Sequence, residues 1–199
     1  MKKLKTLLRI VSIFAIGFMF YQTAEAQSRA DRALINQAVR VTKDNFSFAA
    51  QTPKGARIYA VSQPNAQMLD AIDKGLAGLF AVAQKNNYQR RLSYSDYTIF
   101  IAKADRTTNS DKNYSPDIAV GAVQYAGSVY DQGGFVYAAG MVLAYNPCAF
   151  VFAEHTKDFQ RVSEIVRYEG EHLVLYHNDR QLYKKTADHS QGGGHPILK

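Results

Sequence analysis

The chain has 199 residues, with 24 Lys and Arg against 17 Asp and Glu, one Cys and no Trp. Residues 1–26 hold four of the basic residues and one of the acidic ones, which leaves 20 and 16 in the remainder, a formal charge of +4. That excess is too small to predict a nucleic-acid partner, and Arg90-Arg91, a compact basic pair with aromatics nearby, is not part of a longer basic run. An internal disulfide is excluded because Cys148 stands alone, and its apolar surroundings, Pro147-Cys148-Ala149-Phe150-Val151-Phe152, predict a buried, inert thiol.

The N-terminus reads as an export signal. Lys2, Lys3, Lys5 and Arg9 form a positive start, an apolar run follows from about residue 7 to residue 20, and Ala24-Glu25-Ala26 supplies a small-x-small cleavage pattern. An uncleaved membrane anchor is the rival reading. The run falls short of the roughly 20 residues that span a bilayer, which favours cleavage. The expectation is a signal peptide over 1–26, of bacterial type, and an exported protein, periplasmic or extracellular, with no stable membrane insertion once the signal is removed. Residues 27–199 carry no internal repeat, low-complexity segment or linker, and their length suits a single domain.

Within that domain, Ala30, Leu34, Ala38 and Val41 recur at helical spacing and predict a helix over 28–44. A short strand is expected over 57–62. Pro64-Asn65 ends it and opens a long helix over 66–85, whose buried stripe is Met68, Ile72, Leu76, Leu79, Phe80 and Ala83. Residues 97–103 form a β-rich strand, and the polar stretch 105–116 reads as a surface loop. Strands are expected over 118–125, 135–145 and 148–153, separated by turns at Asp131-Gln132-Gly133-Gly134 and Asn146-Pro147. A helix over 157–177 follows, with Thr156 as its cap and Asp158 in its first turn. A short helical stretch near 179–186 precedes Gly192-Gly193-Gly194 and His195-Pro196. The order predicts an α+β fold.

The last long helix carries the chemistry. Its apolar stripe, Val162, Ile165, Val166, Leu173 and Tyr176, passes through Glu169 and His172 when continued at helical spacing. A carboxylate and an imidazole three residues apart thus fall on the face that packs. Burying them without partners is costly, so they bond each other, bond further polar groups, or bind a metal. A hydrogen-bonded core pair that holds the tail is the plainer alternative. His189 and His195 follow in segments able to fold back, and neutral imidazole suits zinc. His155 and His177 are expected at the surface or in caps, Glu171 on the solvent face, and the glycine run as a flexible or tight-turning loop. Tyr125, Tyr130, Tyr137 and Tyr145 offer amphipathic surface but read mostly as half-buried strand residues.

Tyr168-Glu169-Gly170-Glu171-His172 resembles the HExxH signature of the zincin metallopeptidases, with Tyr in place of the first His. The element order is also similar to that of zincins: strand, long helix, several strands ending in an antiparallel edge, then the signature helix. The resemblance implies a mixed or antiparallel sheet packed against a long helix and a C-terminal signature helix. It implies Glu169 as general base and His172 as a metal ligand. Tyr168 departs from the pattern, and His177 and Asp179 fall at the wrong intervals for a nearby third ligand. His189 and His195 are therefore the expected remaining ligands, leaving one position of a zinc ion open. The function so implied is a secreted zinc-dependent metallohydrolase acting on a peptide or protein. The alternatives are an inactive zincin-like protein that binds a peptide or partner, and a structural exported protein without metal.

Overall fold

The computed structural model describes residues 31–108, 114–127, 131 and 133–198; the signal over 1–26 lies outside the described residues. The chain divides into two units, residues 1–36 and 37–199. The described part of the first, 31–36, is helical, and this helix, α1, continues through residue 42. Among the described residues the architecture is α+β, with four α-helices and two sheets.

The larger sheet has five strands in the order β1-β2-β3-β8-β7, with β1 Phe48–Gln51, β2 Arg57–Ala60, β3 Tyr97–Ala102, β8 Cys148–Ala153 and β7 Gly140–Ala144. Strands β2, β3 and β8 run parallel, and the two outer strands are antiparallel to their neighbours. β3 and β8 are buried at every position, which is why they read as unbroken apolar runs, Tyr-Thr-Ile-Phe-Ile-Ala and Cys-Ala-Phe-Val-Phe-Ala. One face, carrying Ile58, Ile99, Ile101, Phe150 and Phe152, forms the core with α2 (Ala66–Lys85) and α3 (Phe159–Asn178). On the other, Phe100 takes Phe46 edge-on, with centroids 5.1 Å apart. Cys148 is a buried free thiol, as expected.

α2 has its expected bounds, and Asn65 caps it by accepting from the Met68 amide at 2.8 Å. α3 starts at Phe159, and its cap is Asp158, which accepts from the Arg161 amide at 2.9 Å; Thr156 does not take that part. A carboxylate there satisfies an orphan amide and also faces the positive helix end, so it outcompetes the hydroxyl two residues earlier. The two helices cross closely. A Cβ on Gly75 would lie 2.7 Å from the Ser163 carbonyl oxygen, and the Ser163 hydroxyl donates to the Ala71 carbonyl at 2.8 Å. No helix among the described residues is long and apolar enough to cross a membrane.

Three strand expectations need correction, and one strand had no expectation. The strand expected over 118–125 ends at Gly121, and Val123–Tyr125 is a 3₁₀ turn. The stretch 105–116 is not a loop throughout: β4, Asp105–Thr108, pairs antiparallel with the start of β5, Tyr114–Gly121. Asp105 and Arg106 are exposed, so no apolar alternation marks this hairpin. The strand expected over 135–145 is two. β6, Phe135–Ala138, pairs with β5 in the three-stranded sheet, and after Ala139 the chain changes sheets and continues as β7 against β8. Finally, β1 is a short, mostly exposed edge strand with no sequence signal of its own.

Candidate metal centre

α3 lies against β7, and Glu169 is where they meet. A Cβ on Gly140 would come within 2.8 Å of the Glu169 Cγ, so only glycine lets this side chain lie along the strand. Glu169 and His172 line a cleft of about 180 Å³ together with Gly140, Met141, Val142, Tyr145, Tyr125, Ala187 and His189. Glu169 is half-buried, and loss of solvent around its carboxyl raises its pKa to about 8.

The tail folds back over this face. Asp179 closes α3 and caps α4, Arg180–Thr186, by accepting from the Leu182 amide at 2.9 Å. A 3₁₀ turn, His189–Gln191, follows. The glycine run then turns tightly: Gly194 N–H donates to the Thr186 carbonyl at 2.9 Å, and a Cβ on Gly193 would sit 2.3 Å from that same oxygen. This return brings His195 over α3.

His172, His189 and His195 thereby converge, each offering a ring nitrogen within 4.8 Å of the other two. Nitrogens at the Zn–N distance of about 2.0–2.1 Å in tetrahedral array sit roughly 3.4 Å apart. The three therefore need to draw in by about 1.4 Å at most. His172 is 7% exposed, and its Nδ1 has no hydrogen-bond partner. Burial, then the neighbouring His195 and His189, lowers its pKa to about 3. Burial and His195 lower that of His189 as well. Imidazoles crowded together, one with an orphaned buried nitrogen, fit a metal ion better than a self-contained hydrogen-bond network.

Glu171 is the site residue that sequence reasoning missed. It was expected on the solvent face and is fully buried. His195 Nδ1–H donates to its Oε2 at 2.7 Å, and the Ile197 amide donates to its Oε1 at 2.8 Å. Helical spacing put Glu171 outside because the spacing registers only the sheet side of α3, while the tail covers the opposite flank. Tyr168 stacks on the His195 ring, with centroids 4.7 Å apart. His177 is held inward, donating from Nε2 to the Tyr145 carbonyl at 2.7 Å, and His155 is buried rather than at the surface. Asp179 is occupied as a cap. Tyr145 stacks on Tyr176 and bonds the Tyr183 hydroxyl beside the cleft.

No family model, curated protein or solved structure matches this chain.

Proposed function

We propose that the protein is an exported zinc-dependent hydrolase of the peptidase kind, on a zincin-like scaffold. The observation that carries the proposal is the convergence of three imidazoles beside Glu169 in one cleft. Three His ligands with a fourth position open is the donor set of catalytic zinc. The order β2, α2, β3, antiparallel edge β7, β8, α3 agrees with the zincin arrangement. β7 ends the five-stranded sheet and borders the cleft, which suits a substrate that lies extended along it, as a peptide does. The Lys-rich, apolar N-terminus supports export.

His172, His189 and His195 would hold the ion, whose chemistry is to polarise the scissile carbonyl and acidify the attacking water. Glu169 then does the proton work. It takes a proton from the water and returns one to the leaving amine, and a cation nearby favours the ionised carboxylate that a base needs. Gly140 keeps its side chain against β7, in line with the cleft. Tyr168 in place of a first His favours one second reading, an inactive relative that holds metal and binds a peptide in the same cleft.

Glu169→Gln tests the role. The zinc-loaded variant should keep its metal and lose about 10²–10⁴-fold in peptide hydrolysis, read with a pool of fluorogenic peptides. Unchanged hydrolysis would remove Glu169 from the chemistry. Metal bound by the parent protein without hydrolysis of any peptide would favour the inactive relative.

A further inference from the structure

We infer that Glu171 is a positioning residue of the metal centre, a buried fork whose one oxygen orients His195 and whose other pins the C-terminal tail. The inference rests on the proposed metal site and extends it to a residue that neither touches the ion nor lines the cleft.

Glu171 is fully buried, and both its oxygens are used. Oε2 accepts from His195 Nδ1–H at 2.7 Å, and Oε1 accepts from the Ile197 amide at 2.8 Å. The first bond decides a tautomer. A carboxylate can only accept, so it holds the proton on Nδ1 and leaves the lone pair on Nε2, the nitrogen free to ligate. The second bond decides a position. His195 reaches α3 only because the chain returns after the glycine turn, and the Ile197 amide is bound two residues beyond it. Tyr168 stacks on the same ring and limits its rotation. His172 needs no such support, because its side chain is itself buried on the packed face of α3.

The alternative is that Glu171 merely staples the tail, with no bearing on which nitrogen of His195 is available. The two differ in a double-mutant cycle on zinc affinity, measured on the purified protein by competition with a chromophoric chelator. In Glu171→Gln, the amide can still accept from Ile197 but presents N–H to His195 Nδ1. That forces the proton onto Nε2 and blocks the ligating nitrogen. Zinc affinity should fall about 10–100-fold. In a His195→Ala background the same substitution should change affinity by less than about twofold, since the residue it acts through is gone.

Full zinc affinity in Glu171→Gln, alongside a loss in His195→Ala, would overturn the inference while leaving the metal site standing. An equal loss in both backgrounds would overturn it too, because the effect would then not pass through His195. If the parent protein binds no zinc, the metal reading fails and the inference falls with it. Should Glu171→Gln fail to fold, histidine ¹⁵N NMR of the unsubstituted metal-free protein still decides. His195 protonated on Nδ1 supports the inference, and protonation on Nε2 overturns it.

Discussion

Glu169 and His172 are three residues apart on one helix, and burial pushes their pKa values in opposite directions. The Glu169 carboxyl rises from its ordinary 4.5 to about 8, so the folded, metal-free protein holds this proton more tightly than the unfolded chain. The associated stability is fully present below about pH 4.5 and is lost as pH rises through 8. His172 falls from 6.5 to about 3, so its contribution is present above about pH 6.5 and is lost as pH falls toward 3. Glu169→Gln should therefore raise the Tm of the metal-free protein by several degrees at pH 8.5 and by little at pH 4.5, read by thermal melts at both values. An equal effect at both would mean that the parent carboxyl ionises normally. The apolar stripe exposed this pair to sequence reasoning, because period and residue type agree there. Glu171 was not legible in the same way, since what buries it comes from residues 195–198, more than twenty positions further on. His189 and His195 were legible only as residue types, and no spacing rule announces a ligand carried on a returning tail.

At the scale of elements, the fit of α3 on α2 sets where the site stands. Gly75 makes that fit, with the Ser163 carbonyl 2.7 Å and the Val166 side chain 2.8 Å from where a Cβ would lie. Backbone cannot move aside cheaply, so Gly75→Ala should destabilise the fold by about 1–3 kcal/mol, read by urea denaturation. Gly170→Ala should cost less, because the nearest obstacle is the tip of Leu79. No loss in Gly75→Ala would mean that the two helices can separate without penalty. Buried elements were the most legible here. α2 was readable to the residue because a twenty-residue amphipathic stripe with a proper cap leaves little choice, and β8 was readable from its apolar run. The elements that escaped are the exposed ones, β1 and β4, and the break at Ala139, which exists because the chain changes partners between two sheets. Pairing partners are a property of the tertiary fold, and residues 135–145 are equally strand-like on both sides of that break.

For the molecule as a whole, the site belongs to no single segment. α3 provides a carboxylate and one imidazole, β7 provides the wall and the glycine that admits Glu169, and the tail brings the other two imidazoles. The metal is the claim on which the functional proposal depends. It is tested most directly by elemental mass spectrometry on residues 27–199, purified without a histidine tag, beside His172→Ala. The account predicts about one zinc per chain in the parent and a loss of most of it in the variant. No bound metal in the parent after zinc is supplied and the excess removed would contradict it, and the three histidines would then be a polar clasp that holds the tail to α3.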